Sequence, residues 1–425
     1  MRFSRFLLVT VVTCMVSGVA FGSGFSIFEQ GAKASGMAGA FVATADDPSA
    51  IFYNVAGIAQ QRRMSVLAGA TFINFNNEFE GDANDPFASG TSAKFDRHLF
   101  IPPNGYAIIP IGSNLTFGVG MFSNYGLRTD WADPFIGRFS SRDVNLKTVT
   151  LEPALAWQNA SGSVAVGAGL QYRRGRVTLN RNIAAFNPFS GRIADIGNAY
   201  LSSDWGSDYG WSAGVLLKPT PTLRFGANYH AAMDLELEGD ADFQQILTGN
   251  PQFDAVVALQ IPPDQGIRTT IPFPSTLAVG VATSAIDTWD IEFDITHTTW
   301  SRFETLLVEF GTTPANNLNR PQNWEDTFSY RLGANKRATE NVDIRLGLVF
   351  DENPQPIEAV SPLLPDADRV GATMGLGFHH GPWVLDASAM FLHFQDRSTE
   401  GRSEDLNGTY RTNANLYSVN FGYRF

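Results

Sequence analysis

The sequence has almost no cysteine, little charge and no long apolar run beyond its first residues. Its one cysteine, Cys14, lies near the start, so no disulfide framework is available. Only 17% of residues are Asp, Glu, Lys or Arg, against about 25% in an ordinary soluble domain. At 425 residues the chain could hold two or three soluble domains, but this composition favours one large β-architecture. After residue 22 no window approaches the roughly 18 uninterrupted apolar residues of a spanning helix. A helical membrane bundle is thereby excluded, and the mean hydropathy of −0.08 agrees. Basic residues are in deficit too, 30 Lys and Arg against 42 Asp and Glu, for a net charge of −12. That balance argues against nucleic acid and against a basic membrane-surface binder. Disorder is excluded by the 44% hydrophobic content.

What is present begins with a leader. Arg2 and Arg5 are followed by an apolar stretch from Phe6 to Val19, too short to span a bilayer. Ala20-Phe21-Gly22 then offers small residues for signal-peptidase cleavage, so residues 1–22 read as a signal peptide. Thr13 before Cys14 is not the small residue that a lipid-attachment site needs. Removing Arg2 and Arg5 takes the net charge from −12 to −14 and leaves a Cys-free chain starting at Ser23. Such a chain suits passage through an oxidising periplasm.

Beyond residue 63 the pattern has period two. Val164, Val166, Ala168, Leu170 and Tyr172 alternate with Ala165, Gly167, Gly169, Gln171 and Arg173. The C-terminus repeats this with Tyr417, Val419, Phe421, Tyr423 and Phe425, and the runs at 209–217 and 344–350 do so again. A soluble β-sandwich also alternates, but its strands are about 5–6 residues and its outward faces carry Lys, Glu and Thr. Here the runs reach about ten residues, and the second face is rich in Gly, Ser and Asn. Fourteen such segments lie between 64 and 425, joined alternately by short turns such as Pro219-Thr220-Pro221 and by long loops, 180–204 and 240–270 being the longest. An even number of strands with short turns at one end and long loops at the other predicts an all-β, 14-stranded antiparallel transmembrane barrel, closed because open edges would leave backbone groups unpaired in lipid. Trp157, Trp289 and Trp383 beside short turns, and Trp131, Trp205 and Trp324 beside long loops, fit two interfacial girdles. Phe425 suits a last strand delivered to the outer-membrane assembly machinery.

Residues 23–63 do not alternate. They are rich in Gly and Ala, carry little charge, and contain Phe25, Ile27, Phe28, Phe41, Ile51, Phe52 and Tyr53. A barrel of fourteen strands would otherwise enclose an open lumen, so this stretch is expected to be buried there as a plug. Glu29-Gln30-Gly31, the run Gly36 to Ala40, Ala45 to Ala50, and Asn54-Val55-Ala56-Gly57 give the chain its resemblance to the FadL/TodX family of Gram-negative outer-membrane transporters for long-chain fatty acids and other hydrophobic compounds. Family members typically end the segment in Asn-Pro-Ala-Gly; here Asn54, Ala56 and Gly57 remain, and Val55 replaces the proline.

A monomer is expected, and the resemblance implies an outer-membrane protein with an N-terminal hatch over 23–63 and a barrel over 64–425. It implies a route as well: capture in an apolar groove of the loops 180–204 and 240–270, transfer to a lumenal pocket reached by the chain start at Phe25, and lateral release into outer-membrane lipid at a kinked third strand. The groove would use Phe186, Phe189, Phe243, Phe253, Val256 and Val257. Large apolar side chains on exposed loops point independently to a binding surface. Gly118, Gly120 and Gly126 around Asn124 are candidates for the kink, because glycine in a strand often marks a bulge. A fatty-acid carboxylate needs a cation in the pocket; Arg173 and Arg331 face inward by alternation, with Asp290, Glu292 and Asp294 as competing partners. Hydrocarbon uptake by the same route and a general porin are the alternatives. The six histidines form no constellation with Ser or Asp, and His379-His380 point to opposite faces, so no catalytic site, metal or cofactor is expected.

Overall fold

The computed structural model describes residues 23–85, 87–96, 98–402 and 406–425; the leader assigned to residues 1–22 lies outside them. Fourteen antiparallel strands close into one barrel. They are β1 (Ser65–Gly81), β2 (Pro103–Ile111), β3 in two pieces (Leu115–Phe122, Gly126–Asp130), β4 (Asp143–Gln158) and β5 (Val164–Asn187). Next come β6 (Arg192–Ser203, Gly206–Thr220), β7 (Leu223–His230, Met233–Gln245), β8 (Gln265–Phe273, Thr276–Ile286), β9 (Trp289–Thr298, Thr305–Phe310) and β10 (Leu318–Pro321, Thr327–Arg337). The wall ends with β11 (Val342–Asp351), β12 (Arg369–His380), β13 (Trp383–Phe394) and β14 (Gly408–Arg424). Each strand pairs with the next, and β14 pairs with β1 from Ser65↔Arg424 to Gly81↔Gly408, so the sheet has no free edge.

The alternation has the expected sense. Val166, Leu170, Tyr209, Trp211, Leu346, Leu348 and Phe421 are exposed on the outside, as a lipid-facing band requires, while Gln171, Arg173, Ser212, Asn228 and Asn420 are buried on the inside. Two tryptophans depart from the girdles. Trp131 and Trp324 are each 3% exposed, packed against Phe135 and Phe303 inside the long-loop end.

Strands β5 and β6 continue far beyond the band, so 180–204 is not a loop but a hairpin with its turn at 188–191. Likewise β7 runs to Gln245 and β8 begins at Gln265, with helix α3 (Pro251–Ala258) between them. The sequence pattern fades at Leu179 because the outer face is no longer in lipid and need not be apolar; the ladder bonds continue regardless.

Arg62 and Arg63 are exposed at the short-turn end of the ring, while residues 23–60 lie inside it. They include α1 (Ala32–Gly36), α2 (Ala50–Tyr53) and a 3-10 turn (Val55–Gln60), and they bond to strands all round the wall. Ala32 N–H donates to Asn420 Oδ1 on β14 (2.6 Å), Glu29 C=O accepts from Thr71 Oγ1 on β1 (2.8 Å), and Asn54 Nδ2 donates to Val215 C=O on β6 (3.0 Å). A short segment can reach these strands of a closed ring only from within. Four successive backbone N–H groups, Phe41 to Thr44, donate to the carboxylates of Asp294 and Glu292 on β9 at 2.6–3.0 Å. These two acids therefore serve the segment and do not meet the lumenal arginines as their partners. Glycine on the inner wall makes the close fit possible: a Cβ at Gly226 would collide with the Val42 carbonyl, and one at Gly347 with the backbone of Met37.

Candidate functional site

The wall is interrupted in β3. Its ladder with β2 ends at Gly105↔Met121. Its ladder with β4 runs to Phe122↔Thr150 and resumes at Gly126↔Lys147. Ser123, Asn124 and Tyr125 therefore oppose only Thr148 and Val149, a bulge held by Thr148 Oγ1 donating to Tyr125 C=O (2.5 Å). On the side where β2 should pair, the chain start stands in instead. Ile27 N–H donates to Asn124 C=O and Gly126 N–H to Phe25 C=O, both at 3.0 Å. Further out β3 regains its neighbour, with Asp96 N–H on Asp130 C=O (2.8 Å). Asn124 and Gly126 thus belong to the interruption. Gly118 and Gly120 do not: they sit in the regular ladder with Ile108 and Tyr106, where the missing Cβ leaves room for Ile51.

Three cavities follow one another behind this interruption. The outermost, about 510 Å³, lies among the loops and is walled by Ile136, Phe139, Ile193, Arg138, Arg181 and Arg320. Leu179 and Leu363 separate it from a second, of about 90 Å³, walled by Phe25, Leu146, Val177, Leu237, Ile271 and other apolar side chains, with Ser203 and Thr269 as its polar members. Phe25, Leu127 and Leu364 are shared with a third, also about 90 Å³, which reaches Ile27, Phe100 and Gly126 at the interruption. Phe25 is the common wall of the two inner chambers. Its ring sits 4.7 Å from Trp300 and 6.1 Å from Tyr125, centroid to centroid, with Phe273, Phe303 and Trp324 completing the collar.

The chain start is anchored beside it. Gly24 N–H donates to Asp366 Oδ2 (2.7 Å), and Arg369 holds Ser23 Oγ and, at 2.8 Å, Asp351. Burial pushes the Asp366 carboxyl up to about 6, against the opposing pull of Arg369.

Neither arginine singled out by alternation opens onto these chambers. Arg331 is 1% exposed; it is paired with Asp351 (3.0 Å), donates to Ala38 C=O (2.8 Å) and lies 4.1 Å from the centre of the Phe28 ring. Arg173 donates to Thr150 Oγ1 (3.1 Å) and Asn124 Oδ1 (3.3 Å) and lies against the adjoining rings of Tyr125 and Phe273. Arg331 therefore braces the lumenal segment, and Arg173 braces the interruption. Other arginines do open onto the cavities: Arg128 and Arg369 line the third, and Arg138, Arg181 and Arg320 line the vestibule. Arg138 is neutralised there by Asp195 (2.8 and 2.9 Å). Arg320 donates to Ser140 Oγ (3.0 Å), and half-buried Arg181 makes no ion pair among the described residues. Carrying the inward register of Arg173 onward along β5 reaches position 181; the strand read from sequence stops two residues short.

The loop residues divide. Phe253 and Val257 are buried between α3 and Ile196 of the hairpin, with Asn250 Oδ1 capping the helix by accepting Gln252 N–H and Phe253 N–H. Phe243 packs near Phe310, ring centres 6.0 Å apart. Phe186, Phe189 and Val256 are exposed, and none of these six lines the three cavities. The motif residues Asn54, Ala56 and Gly57 are buried. Asn54 Nδ2 ties Val42 C=O (2.8 Å) while its Oδ1 accepts Ala56 N–H. Val55 N–H donates to Asn228 Oδ1 (3.2 Å), a bond that proline could not make. Among the described residues no group of three or more His, Cys, Asp or Glu is placed to hold a metal.

Residues 13–425 match the family of outer membrane transport proteins described as OMPP1/FadL/TodX. The long-chain fatty acid transport protein of Salmonella typhi is 25% identical over 447 residues, covering 98% of each chain. Among solved structures, a Pseudomonas aeruginosa FadL homologue superposes with a TM-score of 0.82 at 20% identity, over 95% of this chain and all of that one. The Pseudomonas putida toluene transporter TodX gives 0.73 at 16% identity, over 96% of this chain and 99% of that one. A closed barrel of fourteen strands, a lipid-facing band and a match spanning nearly the whole sequence lead to one assignment: the chain belongs to the OMPP1/FadL/TodX family of outer-membrane transport proteins.

Proposed function

We propose that this protein takes up long-chain fatty acids across the outer membrane, with the vestibule as the capture site, the apolar chamber as the tail site and the interruption in β3 as a lateral exit. The observation carrying this reading is the series of three cavities, which runs from a cationic mouth through an almost wholly apolar chamber to a stretch of wall without ladder bonds. In the vestibule Arg181 supplies fork donors for a carboxylate, worth about 1.5–3 kcal/mol per charged hydrogen bond. The tail then gains about 0.8 kcal/mol for each methylene taken from water. Leaving sideways keeps it in apolar surroundings throughout, whereas exit into periplasmic water would reverse that gain. Residues 23–63 act as the hatch that closes the lumen to polar solutes, and Phe25 is the piece that must move for ligand to pass between the inner chambers. Neutral hydrocarbons form a second reading, favoured by the absence of any charged side chain from the middle chamber.

The mature chain contains no cysteine, which makes a cross-linking test clean. Cysteines at Phe100 and Gly126, joined by a cleavable bis-maleimide, would pin the two margins of the exit. Oleate should still bind but no longer reach the membrane, and cleaving the linker should restore delivery. Undiminished delivery by the linked protein would remove the lateral exit from the scheme.

A further inference from the structure

Outside the lumen, the wall carries a cluster of cations that the transport route does not use. Lys147 on β4 faces Arg176 on β5 across the ladder, and Arg174 lies two residues along the same outer face. Directly paired residues place their Cβ atoms about 4.5–5.5 Å apart, and like charges there are unfavourable. Among the described residues none of the three makes an ion pair, and Arg174 instead lies 5.7 Å from the Trp205 ring centre. Asp204, exposed in the bulge of β6, makes no ion pair with them either. Such a cluster in a chain of net charge −12 stands without internal compensation. It is also local, because β7 carries Asp234, Glu236, Glu238 and Asp240 on its outer face just past Phe225 and Tyr229.

The height of the cluster is fixed by its neighbours. Along β5 the lipid-facing residues run Val164, Val166, Ala168, Leu170 and Tyr172, and Arg174 is next. Along β4 they run Trp157, Leu155, Leu151 and Val149, and Lys147 is next. Tyr172 and Tyr209, ring centres 5.1 Å apart, close the band. The cations therefore sit where the headgroups of the outer leaflet lie. We propose that Lys147, Arg174 and Arg176 form a binding site for the phosphate of a phosphorylated outer-leaflet glycolipid. Arginine forks match phosphate oxygens two at a time, and a phosphomonoester brings the negative charge that the wall lacks here. Lys147 also pairs with Gly126, so a lipid bound here borders the interruption in β3.

The test uses the full-length mature barrel in detergent, titrated by native mass spectrometry with bis-phosphorylated lipid A and with its dephosphorylated form. The wild type should bind the phosphorylated lipid at least tenfold more tightly, with the difference shrinking as salt rises. The triple variant Lys147→Gln, Arg174→Gln, Arg176→Gln should lose that preference while keeping heat-modifiable gel mobility and oleate binding. If the triple variant fails to assemble, Arg174→Gln and Arg176→Gln alone should each weaken the phosphorylated lipid severalfold. Equal binding of the two lipids by the wild type, unchanged preference in assembled variants, or equally tight binding of phosphatidylglycerol would overturn the assignment.

Discussion

Replacing Phe25 by Ala tests whether the chain start is a movable partition between the inner chambers. The ring is 5% exposed and collared by five aromatic residues, and removing such a side chain costs about 3–5 kcal/mol in a packed core. Empty space already adjoins the ring on two sides, so the lower end of that range applies. Each 1.4 kcal/mol is tenfold, which shifts the balance between docked and released chain start by roughly a hundredfold. The wall does not depend on this ring, so heat-modifiable mobility should be unchanged. A spin label at Ser26 should sharpen in its spectrum as the segment loosens, and a protease should cut before residue 31 far faster than in the wild type. Leucine at 25 should fall between the two. If the alanine variant keeps an immobile label and resists cleavage, the aromatic collar is not what holds the segment, and Phe25 is no partition.

Replacing Arg181 by Met should raise the oleate concentration for half-maximal uptake about tenfold and leave toluene uptake unaltered; equal losses for both would point to a packing role. Ile271→Trp should fill the middle chamber and abolish uptake of long chains while the barrel still assembles, as read by ligand binding and gel mobility. Folding should depend on pH through Asp366. Burial raises its carboxyl to about 6 from an ordinary 3.8, so the folded chain holds the proton more readily than the unfolded one. That contribution is full below about pH 4 and is lost as pH rises through 6. Unfolding of the barrel in urea should need more denaturant at pH 5 than at pH 7.5, and Asp366→Asn should flatten that dependence. Gly57→Val, whose side chain would strike the Ala45 carbonyl, should undo the lumenal segment and increase single-channel conductance.

The barrel was legible because lipid imposes a strict period of two wherever both faces are constrained, as from Val164 to Arg173. Above the band that constraint ends, and β5 and β6 continue on ladder bonds alone, which is why a hairpin reads as a loop and Arg181 escapes notice. Alternation does say that Arg173 and Arg331 point inward. It cannot say that Asp351 and Asn124 await them, since those contacts join residues far apart in sequence. The interruption in β3 is similar: glycine suggests a bend, but the break falls on Ser123-Asn124-Tyr125 because Phe25 and Ile27 supply the missing pairing. Gly118 and Gly120 answer a different need, the width of Ile51.

The bonds of the lumenal segment also set an order of assembly. Its N–H groups are received by Asp294, 253 residues away from Phe41, and by Asn420, 388 residues away from Ala32. The first part of the mature chain to be made thus lacks its full set of acceptors until the last strand is in place. It must wait, apolar and only partly bonded, while the sheet is threaded around it, and closure of β14 on β1 is the step that completes its seat. Contacts so remote in sequence form late. A barrel stalled before its final strand should hold residues 23–63 open to protease, with the wall largely built and the lumen still empty.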